Sequence, residues 1–328
     1  MNRAFDSALE DAQLVAIAGH SRPDGDAVGA CYAMAAYLAK LGKDVAVLLE
    51  DYDSRYDDAI PGREYRYLRD YGRLAPDMFI AMDTSVPHRL GEARYVMERS
   101  KVRAVFDHHL GLQDSGVFRH VFCDTQMPST TMLVYEFLSQ RTELTELDVD
   151  IAAAVYAGLV YDTGGFRHRN TTPKSLEVAA ELIRLGIDFS FIHRKVLLER
   201  PRENVGLTGL ALQRVAYFDN GTIAATFLTL EDKYLFGLTA DAHPGGIVDY
   251  CMNIRGIETA FYVSESRAGV FDVSLRSRLV NVAELAQEFG GGGHKAAAGC
   301  VISEAGGAED VVRRITQRLV SALGRGQH

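Results

Sequence analysis

Four stretches of the sequence combine aspartate and histidine in a way that suits a metal centre. In chain order they contain His20, Asp24 and Asp26; Asp83; Asp107, His108 and His109; and Asp162. A single aspartate after a strand is more often a helix cap than a ligand. Several carboxylates and imidazoles at one sheet edge, with no lysine beside them, repel one another unless cations lie between them. The pattern therefore indicates bound metal ions.

The ligand types narrow the choice of metal and of reaction. Carboxylate oxygen and imidazole nitrogen, with no thiolate, suit Mn²⁺ best, and Mg²⁺, Co²⁺ and Zn²⁺ also accept them. Two histidines and four aspartates are enough ligands for two ions. Two ions roughly 3.5 to 4 Å apart can activate a water molecule and hold a phosphoryl group for in-line attack. Hydrolysis of phosphoesters is therefore the leading reaction class.

The surrounding elements predict how these groups are brought together. Short β-rich runs alternate with helical patterns, which is typical of an α/β fold with a doubly wound, mainly parallel sheet. The runs lie at 14–19, 44–49, 78–82 and 102–106. His20, Asp83 and Asp107 each directly follow such a run, at the edge where these sheets bind ligands. Asp162 follows an apolar helix that begins at Ile151.

The second half of the chain predicts another, smaller α/β domain. After a mainly helical stretch at 129–199, a break at 200–204 precedes more β-rich runs. These runs lie at 214–218, 222–230, 259–264 and 269–275. We therefore expect a catalytic domain at 1–187, a linker at 188–205 and a substrate-binding domain at 206–328.

Composition excludes several other classes of protein. The 328 residues include 44 acidic and 35 basic ones, a net charge of −9, which is the wrong sign for holding long duplex nucleic acid. The longest apolar run, 151–161, is too short to span a bilayer, and residues 1–11 lack the apolar core of a secretory signal. The four cysteines show no C-x-x-C spacing. The prediction is a cytoplasmic protein that does not contact membranes.

A glycine-rich run near the C-terminus is a candidate phosphate-binding element. Consecutive glycines let backbone N–H groups converge on an anion. A flexible turn would explain the glycines alone, but the adjacent histidine and the arginines of the same predicted domain favour phosphate binding. The predicted substrate-binding residues are Arg276, Arg278, Gly291, Gly292, Gly293 and His294.

Together the motifs resemble the DHH phosphoesterase family, which is named after the triplet at 107–109. All four motifs of its catalytic domain occur here in order. The run at 288–299 resembles the glycine-rich motif of the DHH-associated domain, and 274–277 resembles the strand that precedes that motif. The combined resemblance spans nearly the whole chain.

The resemblance implies a role for each residue of the metal centre. The two implied ligand sets are His20, Asp24 and Asp83 for one ion, and Asp26, Asp83, His108 and Asp162 for the other. Asp83 would then bridge two Mn²⁺ ions. His109 would face the substrate as a phosphate ligand or general acid, and Asp107 would orient a neighbouring histidine. The family also implies a homodimer.

Chain length and the C-terminal motif sort the activities of the family. The large single-strand exonucleases carry further nucleic-acid domains, and the inorganic pyrophosphatases carry a different C-terminal motif. The remaining group degrades very short oligoribonucleotides (nanoRNA), dephosphorylates 3′-phosphoadenosine 5′-phosphate (pAp), or cleaves cyclic and linear dinucleotides. We expect hydrolysis of nanoRNA, which is short single-stranded RNA, and of pAp. The alternatives are a cyclic di-AMP or linear dinucleotide phosphodiesterase and, less favoured, an inactive nucleotide-binding module.

Overall fold

The chain folds into two units, each built on one β-sheet. A computed structural model describes residues 3–109, 116–145, 148–240, 242 and 244–324. Unit 1 is Met1–Glu199 and unit 2 is Arg200–His328. Among the described helices, none combines the length and apolar content needed to cross a bilayer.

Unit 1 contains a five-stranded parallel sheet with helices packed against it. Its strands are β1 (Leu14–Ala18), β2 (Asp44–Leu48), β3 (Met78–Met82), β4 (Val102–Asp107) and β5 (His120–Cys123). Its helices are α1 (Arg3–Asp11), α2 (Gly25–Lys40), α3 (Ala93–Arg99), α4 (Thr130–Ser139), α5 (Val149–Asp162), α6 (Pro173–Arg184) and α7 (Phe189–His193). The predicted α/β class is confirmed, although β5 was missing from the prediction.

The strand order explains where a ligand can bind. The order is β2-β1-β3-β4-β5, and all neighbours run parallel. The central strands are apolar because both their faces are covered, and every residue of β3 is buried. The chain leaves β1 toward one side and returns to its other side with β3. This reversal opens a crevice at the carboxyl ends of β1 and β3.

Capping residues mark the starts of helices α4 and α6. Ser129 is the N-cap of α4, and its Oγ accepts a hydrogen bond of 3.1 Å from the backbone of Met132. Thr172 caps α6, and Pro173 follows at the first helical position, where its missing N–H is not needed. Each helix thus begins with a residue type that favours a helix start.

Unit 2 contains a mixed six-stranded sheet. Its strands are β6 (Ala216–Phe218), β7 (Ile223–Leu228), β8 (Thr259–Arg267), β9 (Val270–Ser277), β10 (Gly292–His294) and β11 (Ala297–Ser303). Its helices are α8 (Arg202–Gln213), α9 (Leu230–Leu235), α10 (Ile247–Met252), α11 (Val282–Gln287) and α12 (Ala308–Ala322). The order is β10-β11-β9-β8-β7-β6, and only β7 and β8 pair in parallel.

The segment predicted as a linker, 188–205, is mostly helical. The Asp188 side chain caps α7 with a hydrogen bond of 3.0 Å from the backbone of Phe191. A π-helical turn continues the chain, and its residue Val196 is buried in the core of unit 1. Helix α8 then begins directly after Pro201. Capping and burial therefore give regular structure where polarity and Pro201 had indicated a break.

Candidate metal centre

The loop after β1 and the first turn of α2 carry three of the predicted metal ligands, His20, Asp24 and Asp26. Asp24 is the N-cap of α2, and its Oδ1 accepts hydrogen bonds from the backbone N–H groups of Asp26 (3.0 Å) and Ala27 (3.1 Å). Its other oxygen, Oδ2, lies 4.0 Å from Nε2 of His20. One carboxylate therefore caps a helix and still presents an oxygen to the crevice.

Asp26 is fully buried at the N-terminus of α4. Its Oδ2 accepts a hydrogen bond from the backbone of Thr130 (2.6 Å). Its Oδ1 accepts bonds from the backbone (2.9 Å) and hydroxyl (2.7 Å) of Thr131. Helix α5 passes so close that a Cβ at Gly158 would lie 2.6 Å from Oδ1 of Asp26. The position of this carboxylate is thus fixed by two helices, one of which supplies free N–H groups.

Asp83 lies between the first and third motifs. It follows β3 with a φ of +61°, a left-handed conformation that is uncommon outside glycine. Its Oδ1 accepts a hydrogen bond from the hydroxyl of Thr130 (2.8 Å). Its Oδ2 is 3.5 Å from Nε2 of His20, and its Oδ1 is 3.7 Å from Nε2 of His108. The carboxylate is therefore shared between two imidazoles.

His108 directs one ring nitrogen at the carboxylates. Its Nδ1 is 3.2 Å from the carbonyl oxygen of Met127, which fixes the ring orientation. Its Nε2 is 3.0 Å from Oδ2 of Asp162 and 4.0 Å from Oδ2 of Asp26. This nitrogen is buried and has no aligned hydrogen-bond partner among the described residues. Once this nitrogen loses its proton, its lone pair can coordinate a cation together with the neighbouring carboxylate oxygens.

His109 is placed differently from its neighbour. Its Nδ1 is 2.9 Å from Oδ1 of Asp107, and its backbone N–H donates to the same oxygen at 3.0 Å. The same Nδ1 is 3.5 Å from Oδ1 of Asp83. Asp107 is almost fully buried, whereas 36% of the His109 side chain is exposed. Of the two adjacent histidines, His109 therefore has the more accessible ring.

Asp162 ends α5, and hydrogen bonds to its main chain hold it in place. Its carbonyl oxygen accepts hydrogen bonds from Nδ1 of His168 (3.0 Å) and from Nδ2 of Asn170 (3.2 Å). Nδ2 of Asn170 also donates to the carbonyl oxygen of Pro128 (3.0 Å). Asn170 thereby joins the turn after α5 to the loop that contacts His108 through Met127.

Three groups of side chains have ligand atoms close enough to hold a metal ion. Within each group these atoms lie no more than 4.8 Å apart. The groups found among the described residues are His20, Asp24 and Asp83; Asp26, His108 and Asp162; and Asp83, His108 and His109. The donors are carboxylate oxygen and imidazole nitrogen, so the residues present fit Mn²⁺.

Burial and mutual repulsion shift the proton affinities of this cluster. Burial, followed by the charges of Asp83 and Asp162, raises the pKa of Asp24 to about 6. The same causes raise the pKa of Asp26 well above its usual range. Burial lowers the pKa of His108, but the carboxylates around it outweigh this and raise its pKa to about 10. The cluster therefore retains protons unless cations replace them.

The predicted phosphate-binding glycines form a hairpin in unit 2. Gly292, Gly293 and the exposed His294 form β10, which pairs with β11 at the edge of the sheet. A Cβ at Gly291 would lie 2.1 Å from the carbonyl oxygen of Gly299. At least this glycine is required by close backbone packing, which the sequence analysis did not anticipate.

The two predicted arginines differ in how they are engaged within unit 2. Arg276 is half-buried, and its Nε lies 3.3 Å from Oδ1 of Asp249. Arg278 donates from Nη2 to the carbonyl oxygen of Met252 (2.8 Å) and from Nη1 to that of Ile257. Arg278 therefore closes the C-terminal end of α10, whereas Arg276 is paired with one exposed carboxylate.

Sequence reasoning missed the residues that hold the ligands. Thr130 and Thr131 contact Asp26 across 104 and 105 residues of chain. Thr130 contacts Asp83 across 47 residues, and Asn170 supports Asp162. The only available signal was that serine and threonine, the residue types at 129 and 130, favour the N-cap of a helix. A free helix N-terminus next to an acidic motif could have suggested that the two meet.

Comparisons with known proteins agree with this architecture. The family model "DHH family, N-terminal domain" matches residues 14–159, and the "DHHA1 domain" model matches 233–321. A bifunctional oligoribonuclease and PAP phosphatase NrnA from Thermus thermophilus is 30% identical over 289 residues, covering 87% of this chain and 83% of that protein.

Two further comparisons concern a relative with a different named activity and a solved structure of similar fold. A cyclic-di-AMP phosphodiesterase GdpP from Geobacillus thermodenitrificans is 25% identical over 93% of this chain, but the match covers 47% of that protein. The crystal structure of an exopolyphosphatase-related protein from Bacteroides fragilis has a TM-score of 0.87 at 24% identity and covers 98% of this chain and 97% of its own. The latter likeness shows the fold alone.

Proposed function

The chain belongs to the DHH family of phosphoesterases, and from that premise we propose that it is a manganese-dependent enzyme for nanoRNA and pAp. The observation that carries the proposal is the convergence of four motifs on one crevice, in a chain that matches most of the length of an oligoribonuclease and PAP phosphatase. We propose these substrates because they are the ones named for that relative.

We propose that two ions bind on either side of Asp83. His20 and Asp24 would complete one site, and Asp26, His108 and Asp162 would complete the other. Short distances from both oxygens of Asp83 to different imidazoles support a bridging role. When bound, such ions activate a water molecule and offset charge on the phosphoryl group. The threonines of α4 fix the carboxylates of Asp26 and Asp83, which would hold the ions.

We propose that His109 supplies the proton to the leaving oxygen. The hydrogen bond to Asp107 raises the pKa of His109, so a proton is retained closer to neutral pH. Burial would raise the pKa of Asp107, but the hydrogen bonds from His109 outweigh it and lower that pKa. Asp107 thus stays ionised and holds Nδ1, which leaves Nε2 of His109 to deliver the proton at the leaving oxygen.

We propose that unit 2 selects the substrate. Arg276 and the hairpin residue His294 carry groups that bind phosphate, and both keep part of their side chain exposed. The remaining residues of the proposed set are Arg278, Gly291, Gly292 and Gly293. The contacts of Arg278 and Gly291 described above give these two a role in folding as well.

A cyclic di-AMP or linear dinucleotide phosphodiesterase is the second candidate, and the similarity to GdpP favours it. That match covers 47% of GdpP, whereas the match to NrnA covers 83% of that relative. An inactive module would be expected to lack a metal ligand, whereas every predicted ligand is present and the groups converge.

The deciding experiment compares hydrolysis rates on several substrates, with and without the metal. Steady-state rates are measured with Mn²⁺ on pAp, on di-, tri- and pentaribonucleotides, on cyclic di-AMP and on bis-p-nitrophenyl phosphate, and again after chelation. We expect the highest kcat/KM on pAp and the shortest RNA, and loss of all rates on chelation. A higher kcat/KM on cyclic di-AMP would select the second candidate, and full rates after chelation would contradict the metal centre.

A further inference from the structure

Residues 127–131, here called the α4 entry, contact three ligands of one proposed ion. The carbonyl oxygen of Met127 is 3.2 Å from Nδ1 of His108. The backbone N–H of Thr130 donates to Oδ2 of Asp26 at 2.6 Å. The hydroxyl of the same threonine donates at 2.8 Å to the carboxylate that is proposed to bridge the two ions. One short stretch of chain therefore holds three of the four ligands proposed for this ion.

Asp162 is the fourth ligand proposed for this ion, and it comes from a different element. It is the last residue of α5, where the helix dipole is negative and disfavours a carboxylate. Asp26, by contrast, lies in the first turn of α2 and accepts a hydrogen bond from the N-terminus of α4, where the dipoles favour a carboxylate. The side chain of Asp162 is also 19% exposed, whereas Asp26 is completely buried. Asp162 therefore needs support from outside its own helix.

The side-chain amide of Asn170 supplies this support. Its Nδ2 donates to the carbonyl oxygen of Asp162 at 3.2 Å and to that of Pro128 at 3.0 Å. Pro128 is a buried residue of the α4 entry. Because both neighbours are carbonyl oxygens, which only accept hydrogen bonds, the nitrogen of the amide must face them. Asn170 therefore joins the end of α5 to the α4 entry.

A tight turn brings Asn170 back to the end of α5. Three consecutive residues of this turn have positive φ angles of +57°, +69° and +65°, and they are Gly164, Gly165 and Phe166. A left-handed conformation is uncommon for a residue as bulky as phenylalanine. The hydroxyl of Thr163 stabilises it by accepting a hydrogen bond of 3.1 Å from the backbone N–H of Phe166. The sequence after α5 is therefore suited to a sharp reversal of the chain.

His168 lies in the same turn and contacts the same carbonyl oxygen. Its Nδ1 is 3.0 Å from the carbonyl oxygen of Asp162. Its ring packs on Gly164, where a Cβ would be 2.4 Å from Nε2. Like Asn170, it is exposed. His168 supports Asp162 from within its own turn, whereas Asn170 also reaches the α4 entry.

We propose that Asn170 is a positioning residue, which fixes Asp162 relative to the α4 entry and thereby completes one of the two proposed ion sites. This inference rests on the proposed function and adds a residue to its metal centre. A group of ligands binds an ion tightly when surrounding hydrogen bonds hold its members at the right separation before the ion arrives. Without Asn170, the three ligands at the α4 entry stay in place, but the fourth is no longer tied to them.

The other proposed ion should depend much less on Asn170. Its ligands besides the bridging carboxylate are His20 and Asp24, which are held by their own loop and helix. Nδ1 of His20 is 3.0 Å from the carbonyl oxygen of Ser21, and Asp24 caps α2. Loss of Asn170 should therefore weaken the binding of one ion and spare the other.

The test is a titration of the metal-free full chain with Mn²⁺ alone, in which electron paramagnetic resonance measures the free ion. The number of bound ions and their dissociation constants are measured for the wild type, Asn170→Ala and His168→Ala. Asn170→Ser, whose side chain is too short to join the two carbonyl oxygens, is a second variant. Asn281→Ala is the matched control, because Asn281 caps α11 in unit 2 and donates to Glu284 at 2.7 Å. The thermal midpoint without metal is measured for every variant.

We expect two ions on the wild type, and in both Asn170 variants a dissociation constant raised roughly 10- to 100-fold for one of them. The thermal midpoint without metal should stay near that of the wild type, because Asn170 is exposed. The turnover of bis-p-nitrophenyl phosphate should recover at high Mn²⁺ concentration, because the groups that react are unchanged. His168→Ala should have a smaller effect on Mn²⁺ binding, and Asn281→Ala should have none.

Unchanged Mn²⁺ binding in the Asn170 variants, equal weakening of both ions, or an equal effect of His168→Ala or Asn281→Ala would each overturn the assignment. A large fall in the thermal midpoint together with loss of both ions would show that Asn170 only stabilises the fold. A wild type that binds no Mn²⁺ would overturn the proposed metal centre together with this inference. The titration contains no substrate, so an error in the proposed substrates would leave its result unchanged.

Discussion

The crevice of unit 1 and the glycine hairpin of unit 2 differ in how firmly they hold their charged side chains. In unit 1, Asp26 is completely buried and receives three hydrogen bonds from α4. In unit 2, His294 is exposed on an edge strand. Arg276 is half-buried and lies 3.3 Å from the exposed Asp249, and its Nη1 donates to the carbonyl oxygen of Leu275 at 3.0 Å. The first region fixes its charged groups before any ligand binds, and the second leaves them partly exposed.

This difference matches the two roles proposed for the regions, which are catalysis in unit 1 and the choice of substrate in unit 2. Several carboxylates can be kept within a few ångströms of one another only if helix ends and threonines hold them. Replacing an exposed group costs less stability, since its loss leaves no buried polar atom without a partner. Mutations should therefore affect turnover and metal content in unit 1, but substrate preference in unit 2.

The largest effect is expected at the bridging position. Asp83→Ala should lower kcat by more than about 10⁴-fold, because both proposed ions lose a ligand and their spacing. His20→Ala, which touches one proposed site, should be no more damaging. Elemental analysis and steady-state rates test this together. Near-native turnover of the Asp83 variant with metal bound would show that the carboxylate does not bridge.

The next prediction separates the two adjacent histidines. His109→Ala should lower kcat by about 10² to 10⁴, the usual cost of losing a general acid, with metal content nearly intact. His108→Ala should lose metal as well, since its buried Nε2 faces three carboxylates. Metal content per chain, measured for both purified variants, distinguishes them. Equal metal loss would mean that His109 is also a ligand, as its distance to Asp83 would allow.

A smaller effect is expected in unit 2. Arg276→Ala should weaken binding of pAp and dinucleotides by roughly 1.5 to 3 kcal/mol, the scale of a charged hydrogen bond. The measured quantity is the ratio of kcat/KM on these substrates to that on bis-p-nitrophenyl phosphate, which carries no second nucleotide group. Arg313→Ala, an exposed arginine on α12 paired with Asp310, is the control. A ratio unchanged by Arg276→Ala would remove unit 2 from substrate selection.

The smallest expected effect is a dependence of Mn²⁺ stabilisation on pH. Because the pKa of Asp24 is raised to about 6, its contribution to stability without metal falls as pH rises from about 4 through 6. Mn²⁺ competes with these protons, so its stabilisation should grow over the same range. We expect Mn²⁺ to raise the thermal midpoint by a few degrees more at pH 8 than at pH 5. Equal increments would contradict the protonated cluster.

More of the unit 1 crevice than of the unit 2 hairpin could be predicted from the sequence. The apolar runs at 14–19, 78–82 and 102–106 are followed directly by His20, Asp83 and Asp107, so parallel pairing alone places those groups at one edge. Strand β5 was missed because it has only four residues and lies at the sheet edge. The hydrogen bonds from Thr130 and Thr131 to Asp26 were missed because no local pattern connects residues so distant in the chain.

In unit 2 part of the glycine run has regular structure that the sequence did not indicate, while its predicted binding of phosphate stays a prediction. The run at 290–293 predicted a loop that gathers N–H groups, yet part of it is a strand. Gly291 is required by the backbone of the neighbouring strand, which sequence periodicity cannot reveal because glycine has no side chain to bury. The helical structure within the segment 188–205 was missed for a related reason. Capping by Asp188 and burial of Val196 depend on contacts that polarity does not show.

The spread of the ligand residues along the chain affects how the enzyme matures. The first proposed ligand is residue 20 and the last is residue 162, at the end of α5. A chain that is being synthesised cannot complete the site until α5 has left the ribosome, and parallel strands pair slowly because their contacts are distant in sequence. Metal uptake should therefore be a late event in folding and a measure of correct assembly. Nascent chains that end before Asp162 should bind Mn²⁺ poorly, even though they carry every earlier motif.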